Sequence, residues 1–181
     1  MAEAPWAPQG GTVVIKEVSP VNIGDIQSVT SHGNEAVSDA KERIVVEHSP
    51  GRVVLKPYGN KKSGMVHVPI HHPANLLNGT WYLHNIAIRS QNQNATVSVV
   101  TLYYDEKRVV STNNQQDDDF YITFNEKQAT DYQYIPPKGI CVTLKVSFEE
   151  DDGSVIGSVN LYSVTAVFGT TSKGRSIISL I

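Results

Sequence analysis

The 181 residues carry 15 lysines and arginines against 18 aspartates and glutamates, a formal charge of −3, and no basic run exceeds the pair Lys61 and Lys62; the electrostatic footprint of a nucleic-acid or anionic-membrane partner is therefore missing. A hydrophobic content of 40% suffices for the core of one domain, and a single cysteine, Cys141, excludes an intrachain disulfide framework. The opening MAEAPWAPQGG has neither a basic n-region nor an apolar h-region, and no run approaches the ~20 apolar residues of a membrane helix. The chain is expected to be soluble and cytoplasmic, secreted only if a signal peptide has been removed.

In chain order, residues 1–11 hold two prolines, a glycine pair and Trp6, which suits an extended arm. Residues 12–18 predict a short strand ended by Ser19-Pro20. The polar stretch that follows contains the turn signal His32-Gly33-Asn34 and space for a short helical turn over 36–41. Two β-rich runs then flank His48-Ser49-Pro50-Gly51, a turn in which Pro presets one φ and Gly permits a positive one. In MVHVPIH, residues 65–71, the apolar Val66, Val68 and Ile70 alternate with His67, Pro69 and His71, as in a half-buried strand.

Residues 78–104 predict a β-hairpin at the centre of the fold. Residues 81–89 put Tyr82, Ile86 and Ile88 on one parity, residues 90–94 have loop composition, and residues 95–104 return. In the return run Val97 and Val99 give way to Val100, Leu102 and Tyr104 on the opposite parity, which requires a bulge or burial on both sides. After a turn at 105–107 come a strand over 108–111, a polar loop over 112–119 and a strand with Phe120, Ile122 and Phe124 inward. Residues 140–148 give the cleanest period-two pattern, with Ile140, Val142, Leu144, Val146 and Phe148 facing inward. Asp152-Gly153 signals a hairpin, and residues 155–168 return with a parity change near Tyr162.

Roughly eight to ten short strands, with no amphipathic helix longer than two turns, predict an all-β antiparallel β-sandwich or jelly roll. A closed β-barrel is the alternative. The sandwich is assigned to residues 12–168, and residues 169–181 form a flexible tail with an apolar end.

Four histidines, His67, His71, His72 and His84, fall close together. His67 and His71 share a face but stand two pleats, roughly 13 Å, apart, too far to hold one ion. No metal site and no cofactor are predicted. The acidic runs 117–119 and 149–152 lack the D-x-D-x-D-G spacing of a calcium loop and are expected to bind calcium only if they converge. Neither a G-x-S-x-G elbow nor a phosphate-binding glycine motif occurs, so the chain is not expected to be an enzyme. A metal-dependent enzyme built from His67 or His71 with His84 ranks third among the functional readings.

Outward aromatic faces would stack on sugar rings, whereas Trp and Tyr are also ordinary strand residues at core margins. Trp81, Tyr82 and Tyr121, with His67 and His71, form the candidate ligand set. The order SHG at 31–33, VHVPIHHP at 66–73, YYDEKRVV at 103–110 and PPKGICVTLKVSF at 136–148 resembles an uncharacterised family of small bacterial β-sandwich domains over residues 31–168; that resemblance implies the sandwich and carries no function. The first expectation is a non-catalytic binding or assembly protein, a homo-oligomer joined through an edge strand or through Ile177, Ile178, Leu180 and Ile181 of the tail. A glycan-binding, lectin-like module is the second.

Overall fold

A computed structural model of the protein describes residues 26–71, 81–116, 118–123, 133–134 and 139–170. Within them run β1 (Ile26–His32), β2 (Val37–Ser38), β3 (Ile44–Ser49), β4 (Arg52–Pro57), β5 (Ser63–Ile70), β6 (Trp81–Gln93), β7 (Ala95–Tyr104), β8 (Lys107–Gln116), β9 (Asp118–Thr123), β10 (Gln133–Tyr134), β11 (Ile140–Asp151), β12 (Ser154–Ile156) and β13 (Ser158–Thr170). A 3-10 turn at Gly33–Glu35 is the only helical piece among the described residues.

The strands form two antiparallel sheets packed as a sandwich and not closed into a barrel. One sheet has seven strands in the order β10-β6-β13-β4-β3, with β1 on β13 and β9 on β6; the other has six, in the order β2-β5-β11-β7-β8, with β12 on β11. β11 follows its alternation as expected. Val142, Leu144 and Val146 are fully buried against the facing sheet, Thr143 and Lys145 face outward, and β5 supplies Val66, Val68 and Ile70 to the same core. The facing layer is built from Leu83, Ile86 and Ile88 of β6 with Leu161, Val164, Ala166 and Phe168 of β13.

The parity changes resolve as bulges. In β7 the register shifts between Val97 and Val99, which leaves Val97 and Val100 inward and turns Val99 outward, opposite Lys145. Val99 is thus not a core residue, against expectation. In β13 the shift lies between Leu161 and Ser163, so Tyr162 and Ser163 together oppose Arg89. β6 carries a further shift at His84, which puts Trp81 and Leu83 inward before it and Ile86 and Ile88 inward after it. Tyr82 therefore lies on the face opposite Ile86, which corrects the single parity assigned to that run.

The central hairpin is also corrected. β6 and β7 do not pair with each other: β6 lies in the seven-stranded sheet between β13 and β9 and β10, and β7 lies in the six-stranded sheet between β11 and β8. The chain turns from one sheet to the other at Asn94, the only residue between the two strands, whose φ of 48° is in the left-handed region. Its carbonyl accepts the backbone N–H of Glu149 and lies against Gly157, where a Cβ would strike it. A glycine is needed at 157 for that contact and for its φ of 118°.

The short connections behave as their residues require. Asp152 and Gly153 both have positive φ in the β11–β12 turn, and Gly51 does in the Pro50-Gly51 turn. Two assignments shift. The helical turn falls at Gly33–Glu35, ahead of its expected place at 36–41, and much of the polar stretch 112–119 is strand, because β8 continues along β7 to Gln116. The arm 1–11, the strand over 12–18, Phe124 and the tail from 171 lie outside the described residues.

Phe168 is among the largest fully buried side chains. Phe168→Ala is expected to cost about 3–5 kcal/mol in urea unfolding through loss of burial and cavity formation. Val99→Ser, on the outer face, is expected to cost less than about 1 kcal/mol. Equal effects would contradict the bulge in β7.

Candidate functional site

Each sheet presents one outer face, and the two differ in what their polar groups already touch. On the six-stranded sheet, His67 of β5 stands beside Thr143 of β11 in register, and β2 brings Asp39 to the other side of the imidazole. His67 Nε2 is 2.9 Å from Asp39 Oδ2, and Nδ1 is 2.8 Å from Thr143 Oγ1. The other carboxylate oxygen of Asp39 accepts the backbone N–H groups of Lys41 and Glu42, each at 2.7 Å. The N–H of Glu42, then the imidazole of His67 and the N–H of Lys41, all favour the ionised carboxylate and hold the Asp39 pKa down at about 2. An ionised Asp39 accepts from Nε2–H, and Nδ1 shares the second hydrogen bond with the Thr143 hydroxyl, which can donate or accept.

A carboxylate, an imidazole and a hydroxyl in sequence suggest nucleophilic catalysis, but the surroundings do not supply it. Thr143 is only 5% exposed and sits in a central strand whose backbone is paired on both sides, so no N–H is free there to stabilise an oxyanion. Cys141, two residues along, is half-buried; burial raises its pKa above the ordinary thiol value and keeps it protonated. The array is a structural clamp that holds the segment after β2 against β5. Nearby, Thr101 bonds to Ser111 and Ser147 to Ser98, so these hydroxyls are also spent within the sheet.

The outer face of the seven-stranded sheet is different. Registered rows cross β9, β6, β13 and β1: Tyr121, Ala87, Thr165 and Thr30 form one, and Thr123, Asn85, Val167 and Ser28 the next. On the other side of the first row lie Arg89, Ser163 and His32. Tyr121 is 56% exposed, since Phe120 and Ile122 on either side of it point inward. Ala87 beside it contributes a single methyl, so the floor of this face is low. The bulge at Tyr162 turns a second tyrosine outward next to Arg89, its hydroxyl 3.3 Å from Gln91 Oε1.

Arg89 and Asp119 complete the group. Asp119 Oδ1 accepts the backbone N–H of Ser90 at 2.7 Å, and its Oδ2 lies 3.9 Å from Arg89 Nε, beyond direct hydrogen-bond reach. Both side chains are mostly exposed, at 71% for Arg89 and 60% for Asp119. Asp118 likewise accepts the N–H of Asn92 at 3.0 Å. Carboxylates from the acidic run thus replace ladder bonds where β9 and β6 shift register, and Glu150, in the other acidic run, pairs with Lys62. Among the described residues no group of three or more His, Cys, Asp or Glu side chains is placed to hold a metal.

The candidate ligand residues do not come together. Trp81 is 3% exposed inside the core and is no ligand platform, a correction that follows from the bulge at His84. Tyr82 is half-buried at one end of the seven-stranded sheet, and Tyr121 stands on its open face. His67 is engaged with Asp39 and Thr143 on the other sheet, and His71, also there, pairs with Glu35 at 2.9 Å. His84 belongs to the seven-stranded sheet, packed so closely on Gly169 that a Cβ there would meet its ring, and burial lowers its pKa. It is not brought to His67 or His71. Ile177, Ile178, Leu180 and Ile181 lie outside the described residues. Arg89, Asp119 and Tyr162 were absent from the sequence-derived set; only the parity change near Tyr162 pointed to one of them.

No family model matches the chain, and no curated protein matches it. Solved structures similar to it include the carbohydrate-binding module CBM36 in complex with calcium and xylotriose, 16% identical with a TM-score of 0.31 over 72% of this chain and 98% of that one. Others are a family two carbohydrate esterase from Cellvibrio japonicus, 11% identical with a TM-score of 0.30 over 86% and 37%, and the infectious bursal disease virus Gx strain, 11% identical with a TM-score of 0.27 over 93% and 42%. None of these likenesses bears on what this chain binds.

The clamp gives a pH dependence of definite sign. The folded-state pKa of Asp39 lies below the ordinary carboxylate value of 3.8, so its stabilisation is present in full above that value and is lost as pH falls from 3.8 towards about 2. Asp39→Ala is expected to cost about 2 kcal/mol at neutral pH by removing charged hydrogen bonds. In chemical unfolding, the gap between variant and parent is expected to narrow across that acid window. A gap independent of pH would remove the clamp from the account of stability.

Proposed function

We propose that the protein is a glycan-binding module whose site is the outer face of the seven-stranded sheet. The observation that carries this reading is the exposed ring of Tyr121, standing over a low floor at Ala87, with Tyr162, Arg89 and Asp119 grouped beside it. A tyrosine ring supplies a flat apolar surface to the C–H face of a sugar, and the guanidinium and carboxylate supply a donor and an acceptor for its hydroxyls.

Tyr121 and Tyr162 lie on strands separated by β6 and are offset by about two residues, which sets their Cα atoms roughly 12 Å apart at the usual strand spacing and rise. That span exceeds one sugar ring, so the ligand is an oligosaccharide or polysaccharide lying across the strands. The face needs no rearrangement to receive it, because each side chain projects from a paired strand and not from a loop.

Affinity electrophoresis and calorimetry against a panel of soluble polysaccharides test the reading. Tyr121→Ala is expected to weaken binding about tenfold or more, the loss of a buried aromatic anchor, while leaving thermal stability within about 0.5 kcal/mol as for other exposed positions. Unchanged affinity in Tyr121→Ala and Tyr162→Ala would move the site elsewhere, and absence of binding to every polysaccharide would reject the function.

A further inference from the structure

We infer that the ligand is a neutral polysaccharide, recognised by one of its hydroxyls seated between Arg89 and Asp119; the inference rests on the sheet-face reading above and names its substrate class. The 3.9 Å that separates Arg89 Nε from Asp119 Oδ2 is too long for a hydrogen bond between them. It is the spacing at which a single hydroxyl oxygen, about 2.8 Å from each atom, accepts from the guanidinium and donates to the carboxylate. A hydroxyl is both donor and acceptor and satisfies this pair; a carboxylate or sulfate ester only accepts, and leaves Asp119 facing a like charge.

The orientation of the pair is fixed from the carboxylate side. Asp119 Oδ1 is held by the N–H of Ser90 at 2.7 Å, so Oδ2 is presented to the face and the gap is set by the backbone of β6, which also carries Arg89. The local charge points the same way. Among the described residues beside the pair, Asp118 and Asp119 put two carboxylates against the guanidinium of Arg89, and their field disfavours an anionic chain. The neighbouring floor is made of neutral groups: Ala87, Ser163, and Thr165 and Thr30, whose hydroxyls bond to each other at 2.8 Å.

The test compares full-length protein on neutral polysaccharides, such as xylan and β-glucan, with its behaviour on polygalacturonate and alginate at low and moderate salt. Parent protein is expected to bind a neutral polymer and to bind the anionic ones at least tenfold more weakly. Asp119→Asn keeps an oxygen for the Ser90 N–H but removes the charge; it is expected to lose about tenfold on the neutral polymer and to narrow the difference from the anionic ones. Tighter binding of an anionic polymer, lost in Tyr121→Ala, would overturn the neutral assignment while leaving the glycan face in place. Neutral binding that depends on Tyr121 but is unchanged in Asp119→Asn would overturn the role of the pair. Binding to neither class rejects the face itself, and this inference with it.

Discussion

The pairing of β6 with β13, from Ser158 opposite Gln93 to Thr170 opposite Trp81, is the constraint on which the structure depends. Each strand is 13 residues long, and each has to keep apolar side chains against the facing sheet while following the twist of a long antiparallel ribbon. Two bulges accomplish this. Each inserts an extra residue so that the inward set can resume on the other parity, and each leaves two consecutive side chains outward: His84 with Asn85 in β6, and Tyr162 with Ser163 in β13. Outward polar and aromatic residues therefore gather on the face of this pair because its core face must stay continuous. The core requirement and the composition of the outer face have one cause.

The two outer faces show how a polar surface built for stability differs from one left open. On the six-stranded sheet the polar groups form partnerships among themselves, from Asp39 through His67 to Thr143, from Thr101 to Ser111 and from Ser147 to Ser98. Such a surface holds its own edge and has little left for a ligand. On the seven-stranded sheet the anchoring is partial. Asp119 is fixed by one oxygen and turns the other towards Arg89 at ion-pair distance without a direct hydrogen bond, and Tyr121 has inward neighbours and a methyl beside it. Rigid placement with unspent hydrogen-bonding capacity is the physical condition for binding without reorganisation.

Much of the fold was legible in the amino-acid order. The strict alternation of β11 gave its inward face, Asp152-Gly153 gave its turn, and the broken alternation in β7 and β13 marked where their inward parity changes, without distinguishing a bulge from burial on both sides. The partner of β6 was not legible. Two apolar runs joined by a polar connection have the same signature whether they pair as a hairpin or turn from one sheet to the other, and only the distant segments β11 and β13 decide between these outcomes. The bulge at His84 was equally silent, since Trp81, Tyr82 and Leu83 are all plausible inward residues; its consequence was to bury Trp81 and free the opposite face. The site was the least legible part. Arg89 and Asp119 are unremarkable in sequence, 30 positions apart, and their proximity comes from a register shift between β6 and β9.

The placement of β1 on β13 carries a consequence for how the chain is made. Ile26 pairs with Gly169, and His32 with Ser163, so the earliest described strand has no sheet partner until the last one has been synthesised. β6 finds β9 and β10 earlier on one edge, but its other edge waits for β13, which lines its full length. While the protein is still on the ribosome, β7 and β8 pair locally, but the seven-stranded sheet lacks the strand around which it is ordered. Closing such long loops makes folding slow for a domain of this size. It also leaves one edge of β6 and both edges of β1 unpaired until β13 is made, and unpaired apolar strands of this kind are what make partly folded chains prone to aggregate.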